Sequence, residues 1–350
     1  RGHLARAVRG HPGRQKRPDA GGPSPRRDTF REAPQRGMDV STAFLFPGQG
    51  AQHVGMGQDV YEAYAPARER FDAAEDITGL PLKRLCFEGP EEELNRTDIA
   101  QPALFTVSAA TLACLDELTG GRPEPQYLAG LSLGEYTALY AAGALDFADM
   151  LRLVARRGTV MQEAARAVPS GMVSVLGLDA DAAEALCEAA RDGQVLQCAN
   201  FNCPGQIVLS GEADACRRAA ELAAEHGAKA AVPLAVAGAF HSPLMQPAAA
   251  AFAADLDAVA FRAPGRYVVS NVSAQVVGGA AEIRDTLLRQ LTAPVRWQQS
   301  MEFLLDAGVE RFYEVGPGRV LAGLMRRIRR RADVTCLNSR EAVEALAGDA

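Results

Sequence analysis

The sequence predicts an α/β fold with a mostly parallel sheet and helices on both of its faces. Short apolar runs alternate with helical stretches from residue 42 onward, which is typical of parallel sheets. A Gly-x-Ser-x-Gly turn at 130–134 joins one of these strands to a helix. Residues 166–235 follow the order β-α-β-β-α-β, which predicts an inserted ferredoxin-like α+β subdomain.

The predicted large α/β domain therefore has two parts, residues 38–165 and 236–350. In the first part, an apolar run and a Gly-rich loop open the domain, and amphipathic stretches follow. The first part is predicted to hold strands at 42–46 and 127–130, with helices at 60–74, 101–118, 135–143 and 147–163.

The subdomain and the second part of the large domain follow from the same reasoning. In the subdomain, strands are expected at 171–178, 194–199, 206–210 and 230–236, with helices at 179–191 and 213–226. In the second part, strands are expected at 267–271 and 311–315, with helices at 248–259, 283–291, 297–307 and 320–331.

Composition limits the possible classes of protein. The chain has 350 residues, of which 48% are hydrophobic and 23% charged, so a substantial core is possible. It contains no run of 18 apolar residues, and we predict no membrane span. The seven cysteines include no C-x-x-C pair, which favours reduced thiols and a cytoplasmic location over disulfides or a zinc site.

Charge is divided between a basic head and an acidic body. Residues 1–37 carry ten Lys or Arg and three Asp or Glu, a charge of +7, so the total of −6 leaves −13 for residues 38–350. An acidic body argues against nucleic-acid binding. The Pro-, Gly- and Arg-rich head is expected to be disordered. It is interpreted as sequence upstream of a start at Met38, with a targeting segment and a nucleic-acid- or partner-binding arm as alternatives.

Ser132 is the candidate nucleophile. It lies in Gly130-Leu131-Ser132-Leu133-Gly134, which fits a nucleophile elbow between a strand and a helix. The bare pattern is weak, because an ordinary turn before a helix has the same composition.

A serine nucleophile needs a base, and His241 is the leading candidate. Outside the head the chain has only His53, His226 and His241. His226 ends a polar helix, and His53 follows a Gly-rich loop. His241 lies between a strand and a helix, where sites form in α/β sheets. The alternative for His241 is a residue that merely begins a helix.

Two other segments attract attention. The Gly-rich run at 47–57 fails the G-x-G-x-x-G pattern, which argues against a dinucleotide site, but such a loop can direct a backbone N–H toward an oxyanion. Arg156 and Arg157 lie in a largely apolar helix. Such arginines are usually solvated or paired, although one of them could bind a substrate carboxylate with two hydrogen bonds.

Several motifs in order resemble the malonyl-CoA:acyl carrier protein transacylases and the acyltransferase domains of polyketide and fatty acid synthases. The resemblance runs from about residue 40 to 338 and implies a hydrolase-like α/β domain with a ferredoxin-like insert. The motifs are Phe46-Pro-Gly-Gln-Gly, Gln101-Pro-Ala, Gly130-x-Ser-Leu-Gly-Glu, Arg157-Gly-x-x-Met-Gln, Asn200-Phe-Asn-x-Pro-Gly-Gln, His241 and Tyr313-Glu-Val-Gly-Pro-Gly.

The resemblance also implies roles for individual residues. Ser132 and His241 would form a catalytic dyad, with a backbone carbonyl near Gln290 orienting the imidazole. The backbone N–H groups of Gln49 and Leu133 would form the oxyanion hole.

Selectivity is implied in the same way. Arg157 would pair with the malonyl carboxylate. The phenylalanine at position 240, just before His241, is similar to that of malonyl-selective rather than methylmalonyl-selective relatives. Leu131 stands where many relatives have histidine.

The implied reaction is ping-pong transfer of malonyl from malonyl-CoA to acyl carrier protein for fatty acid synthesis, without a metal or redox cofactor. Two other functions stay open from the residues alone. An esterase or thioesterase would use the same serine and histidine, and a non-catalytic carrier-protein-binding subunit would need neither.

Overall fold

The computed structural model describes residues 41–121 and 123–348. Its strands are β1 Thr42–Phe46, β2 Tyr127–Gly130, β3 Ser170–Leu176, β4 Leu196–Cys203, β5 Gln206–Glu212, β6 Ala230–Pro233, β7 Tyr267–Val269, β8 Arg311–Val315 and β9 Asp333–Leu337. Its helices are α1 Gln58–Ala63, α2 Ala65–Thr78, α3 Leu82–Phe87, α4 Glu91–Leu94, α5 Thr97–Thr119, α6 Gly134–Ala141, α7 Phe147–Ala167, α8 Ala180–Arg191, α9 Ala213–Leu222, α10 Gln246–Asp257, α11 Ala280–Gln290, α12 Trp297–Asp306, α13 Val320–Ile328 and α14 Arg340–Gly348.

The larger sheet is parallel throughout, with the order β7-β2-β1-β8-β9. Every residue of the central strand β1 is buried, as expected for a strand covered on both faces. This arrangement confirms the predicted α/β class. Because parallel strands end at one edge of the sheet, the loops after β1, β2 and β7 meet there, and ligands bind at such edges.

The smaller sheet is antiparallel, with the order β4-β5-β3-β6. Its chain order, β3-α8-β4-β5-α9-β6, is the predicted β-α-β-β-α-β pattern. Helices α8 and α9 share with it a hydrophobic cluster that includes Val175, Leu186 and Leu209. We propose that residues 166–235 form an inserted subdomain around this cluster, with 38–165 and 236–350 as the large domain.

Helix α5 is the longest helix of the described residues and supplies much of the main core. It begins at Thr97, four residues before the predicted start, and it contains Pro102 inside the helix. Its length and apolar composition would allow it to span a bilayer, but 83% of its most apolar stretch is buried inside the protein. It therefore serves as a core helix.

Some element boundaries were predicted incorrectly. Helix α9 ends at Leu222 rather than at residue 226, since a run of turns and Gly227 follows it. The short helices α3 and α4, the strand β9 and the helix α14 were not predicted at all. The basic head at 1–37, predicted to be disordered, lies outside the described residues.

Candidate active site

Ser132 lies at the junction of β2 and α6, in a backbone conformation that suits a nucleophile elbow. Its φ is 51°, in the left-handed region that non-glycine residues rarely adopt. Gly130 makes the sharp turn possible, because a Cβ there would lie within 1.9 Å of the Gly134 carbonyl carbon. Such strain persists only where the surroundings fix it, and it is concentrated at functional sites.

His241 reaches Ser132 from the loop after β6. Its Nε2 lies 2.8 Å from Ser132 Oγ, and its Nδ1 lies 2.7 Å from the carbonyl oxygen of Gln290. Because a carbonyl oxygen only accepts, Nδ1 carries the proton and Nε2 is the acceptor that faces the serine. His241 also has a left-handed φ of 57° and is only 3% exposed.

The surroundings of His241 favour its neutral form. Burial and, to a lesser extent, the positive charge of Arg157 together lower the pKa of the imidazole to about 4, although the bond to the Gln290 carbonyl acts in the opposite direction. At neutral pH the ring is therefore unprotonated at Nε2 and can accept the Ser132 proton.

The side chain of Arg157 in α7 is completely buried beside the dyad. One terminal nitrogen donates to Gln101 Oε1 at 2.7 Å; the other donates to Ser132 Oγ at 3.1 Å and to Gln290 Oε1 at 2.9 Å. Its Nε has no partner among the described residues. The guanidinium also lies over the Tyr136 ring, at 5.1 Å from the centroid. A positive charge is thus held within bonding distance of the serine oxygen.

The other candidates from the sequence lie apart from these contacts. Arg156 Nε pairs with Asp255 Oδ2 at 3.2 Å, and the Arg156 side chain is 41% exposed. His53 Nδ1 lies 3.3 Å from the Ala51 carbonyl oxygen. His226 follows α9, beyond its end. In the described ranges, 41–121 and 123–348, none of these three side chains forms a hydrogen bond with Ser132.

The backbone N–H groups of Gln49 and Leu133 belong to two loops that pack closely. A Cβ on Gly48 would lie 2.3 Å from the Leu131 carbonyl oxygen, so the loop after β1 approaches the elbow directly. Within the described part of the chain, neither N–H donates to a backbone acceptor in the loop contacts. Their role as the oxyanion hole stays a prediction. The Gln49 side chain accepts from Gln101 Nε2 at 3.2 Å.

Asn271, just after β7, is a site residue that the sequence reasoning missed. Its Oδ1 accepts from the Ser132 backbone N–H at 2.7 Å, and its Nδ2 donates to the Gly130 carbonyl oxygen at 2.7 Å. One side chain thereby holds both arms of the elbow and occupies the Ser132 amide. The position after a parallel strand was the signal that could have identified it.

The side chain of Gln290, predicted only as a backbone acceptor, also joins the site. Its Nε2 donates to the Ser132 carbonyl oxygen at 2.9 Å and to Glu135 Oε2 at 2.6 Å. Its Oε1 accepts from Arg157, as noted above. Gln290 therefore bonds to Ser132, His241 and Arg157.

The described residues contain no group of three or more His, Cys, Asp or Glu side chains arranged to hold a metal ion. The cysteines are free thiols. Burial raises the pKa of Cys86 and of Cys114 to about 12, so both stay protonated and unreactive at neutral pH.

Comparison with known proteins gives matches to one family. The profile of the acyl transferase domain family matches residues 43–343. The chain is 45% identical over 303 residues to the malonyl CoA-acyl carrier protein transacylase of Bacillus subtilis (strain 168), covering 86% of this chain and 95% of the relative. It is 44% identical to the enzyme of the same name from Escherichia coli (strain K12), covering 87% and 97%.

Solved structures of transacylases also match this chain. The malonyl CoA-acyl carrier protein transacylase of Coxiella burnetii superposes with a TM-score of 0.86 at 39% identity, over 90% of this chain and 99% of that one. A malonyl-transacylase in complex with its type II PKS acyl carrier protein gives a TM-score of 0.85 at 40% identity, over 89% and 100%.

Proposed function

The chain belongs to the acyl transferase domain family, and we propose that it transfers malonyl from malonyl-CoA to the phosphopantetheine thiol of acyl carrier protein. The observation that carries this proposal is the fully buried guanidinium of Arg157, which lies 3.1 Å from Ser132 Oγ. A buried positive charge next to a nucleophile favours an acyl group that itself carries a negative charge.

The first half-reaction begins with the proton of Ser132. His241 Nε2 removes it as Ser132 Oγ attacks the thioester carbonyl carbon, and a tetrahedral oxyanion forms. The N–H groups of Gln49 and Leu133 stabilise this oxyanion, because they are donors with no competing backbone acceptor. The carbon–sulfur bond then breaks, and the His241 imidazolium returns its proton to the sulfur of coenzyme A, leaving malonyl-serine.

The second half-reaction reverses these steps with a new thiol. His241 accepts the proton of the phosphopantetheine thiol, whose sulfur attacks the malonyl ester. The ester bond breaks, and the proton passes to Ser132 Oγ. The Gln290 carbonyl, 2.7 Å from His241 Nδ1, keeps the imidazole oriented and stabilises its protonated form in both halves.

Arg157 gives malonyl its preference over uncharged acyl groups. Its guanidinium is planar and can bind the two oxygens of a carboxylate at once, so the terminal carboxylate of malonyl finds a matched partner inside the pocket. Once bound, the carboxylate offsets the positive charge that lowers the pKa of His241, which strengthens the base in the complex.

The two alternative functions predict other outcomes. A hydrolase would pass the acyl group to water, and a non-catalytic subunit would form no acyl-enzyme. The relatives named transacylases match this chain over 95% and 97% of their own length, which supports transfer. We propose that the transfer supplies extender units for fatty acid synthesis in the cytoplasm, with malonyl-CoA and acyl carrier protein as partners.

Labelled malonyl-CoA tests the proposal directly. Without an acceptor, mass spectrometry of peptides should locate one malonyl group on Ser132. Addition of acyl carrier protein that carries phosphopantetheine should remove this label and produce malonyl-carrier protein. Release of free malonate instead would indicate a hydrolase, and the absence of any adduct would refute the assigned nucleophile.

A further inference from the structure

Glu135 is a buried carboxyl group that the reaction above does not use. It is completely buried in the first turn of α6, three residues after the nucleophile. Its Oε2 accepts from Gln290 Nε2 at 2.6 Å and from the Asn271 backbone N–H at 3.2 Å. Its Oε1 has no partner among the described residues. Burying a carboxyl group is costly, so this placement calls for a reason.

The bonds of Gln290 suggest that reason. A carboxylate only accepts hydrogen bonds, and a guanidinium only donates them. The Gln290 amide lies between the two, with its donating nitrogen toward Glu135 and its accepting oxygen 2.9 Å from an Arg157 nitrogen. The reverse orientation would place the amide oxygen against the carboxylate and the NH₂ group against the guanidinium, which makes both contacts repulsive.

We propose that Glu135 is a positioning residue that anchors the Gln290 side chain, and through it holds Arg157 in place to bind the substrate carboxylate. The inference rests on the proposed malonyl transfer and assigns one source of its selectivity. Among the described residues, the Glu135 carboxylate makes no hydrogen bond to the side chain of Ser132 or His241. It acts through a chain of two hydrogen bonds, from carboxylate to amide to guanidinium.

Electrostatics support this chain. The pKa of Glu135 is raised to about 7, because burial outweighs the opposing effects of the bonds from Asn271 and Gln290, the neighbouring Ser270 hydroxyl and the charge of Arg157. Burial also lowers the pKa of Arg157, and the negative charge of Glu135 opposes that shift. Each group thus favours the charged form of the other, although Gln290 lies between them.

The test compares the preference for malonyl-CoA over acetyl-CoA, measured as the ratio of kcat/KM values. Glu135→Met removes the acceptor and should lower this ratio about 5- to 30-fold, the effect of losing one or two kcal/mol of hydrogen bonding. Glu135→Gln keeps one acceptor oxygen and should recover part of the preference. In an Arg157→Ala background, Glu135→Met should change the ratio no further, since both act on one contact.

Glu314→Gln is the matched control for Glu135→Gln. Glu314 is also completely buried, but it accepts from the backbone N–H groups of Leu321 and Ala322 at the start of α13. Its substitution should lower thermal stability and leave the malonyl-to-acetyl ratio unchanged. A change in this control equal to that of Glu135→Gln would mean that the ratio only reports damage to the fold, and would overturn the inference.

The remaining outcomes separate the inference from the proposed function. If the wild-type enzyme prefers malonyl and a folded Glu135→Met keeps the same ratio, Glu135 does not position Arg157. If Glu135→Met lowers the ratio equally in the wild type and in the Arg157→Ala background, the same conclusion holds, because the effect then does not pass through Arg157. If Glu135→Met does not fold, Gln290→Met tests the same inference, because it removes the side-chain amide but keeps the backbone carbonyl that faces His241. An unchanged malonyl-to-acetyl ratio in Gln290→Met would overturn the proposed positioning of Arg157 through Gln290. A wild-type enzyme without malonyl transfer would refute the function itself.

Discussion

Replacement of Arg157 by alanine is expected to reduce the preference for malonyl over acetyl more than any change outside the dyad. The two acyl groups differ by a carboxylate, which would enter a pocket whose guanidinium is completely buried. A hydrogen bond to a charged group contributes about 1.5–3 kcal/mol, so the malonyl-to-acetyl ratio should fall by roughly 10- to 150-fold. Arg157→Lys should restore only part, because an ammonium cannot bind both oxygens in one plane.

The ratio is a better measure than the rate. Arg157→Ala also leaves Gln101 Oε1 and Gln290 Oε1 without the donor that they share, and it removes the donor to Ser132 Oγ. Both substrates should therefore react more slowly. Competition between differently labelled malonyl-CoA and acetyl-CoA, with the two carrier-protein products measured by mass spectrometry, cancels this common loss.

Arg156→Ala provides the matched control. It removes the same charge from the adjacent position of α7, about 100° around the helix. Arg156 pairs with Asp255 at the surface, and such pairs contribute about 0–1 kcal/mol to stability. The malonyl-to-acetyl ratio of Arg156→Ala should equal that of the wild type. An unchanged ratio in Arg157→Ala, or an equal fall in both variants, would refute the assignment of Arg157 to the carboxylate.

Three further results are expected. Ser132→Ala should abolish the malonyl adduct without changing the melting temperature by more than a few degrees; an adduct that still forms would place the nucleophile elsewhere. His241→Ala should slow acylation by about 10²–10⁴-fold, whereas His226→Ala should have little effect. Labelling reactions quenched at successive times would give both acylation rates, and a larger loss in His226→Ala would contradict the choice of base. Acylation by acetyl-CoA does not depend on the carboxylate contact, and its rate should stay constant from about pH 7.5 to about pH 5.5 and fall only near pH 4. The reason is that His241 stops acting as a base only when the pH drops through its lowered pKa of about 4. A rate that has fallen to half near pH 6.5 would contradict the burial of the imidazole.

The fold could be predicted well where local pattern and burial agree. The strand β1 was predicted with its observed ends, because five apolar or small residues precede a Pro-Gly break. The helices α3 and α4 were missed because they have six and four residues, too few for a helical period to become visible. The strand β9 was missed because it carries Asp333 and Thr335 at the sheet edge, where burial is incomplete.

The site was predictable where a motif marks a residue or where few residues of the required type exist. Ser132 lies in a recognisable turn, and His241 was one of three histidines outside the head. Asn271 was missed because it contacts Ser132 across 139 positions of sequence and belongs to no motif, so its position after a parallel strand was the one signal that marked it. The side chain of Gln290 was also missed because of its distance in sequence, since its bond to Glu135 spans 155 positions. Such contacts arise from the topology of the fold, which places the ends of β2, β7 and α11 close together.

The loop that carries His241 is held by the small sheet rather than by the large one. Ser210 Oγ in β5 donates to the Phe240 carbonyl oxygen at 2.6 Å, and Gln197 Nε2 in β4 donates to the His241 carbonyl oxygen at 2.8 Å. Ser132, in contrast, is fixed to the ends of β2 and β7. The spacing between nucleophile and base is therefore a measure of how the two sheets are aligned. A shift of the small sheet relative to the large one would lengthen the 2.8 Å contact between Ser132 Oγ and His241 Nε2 without altering either residue.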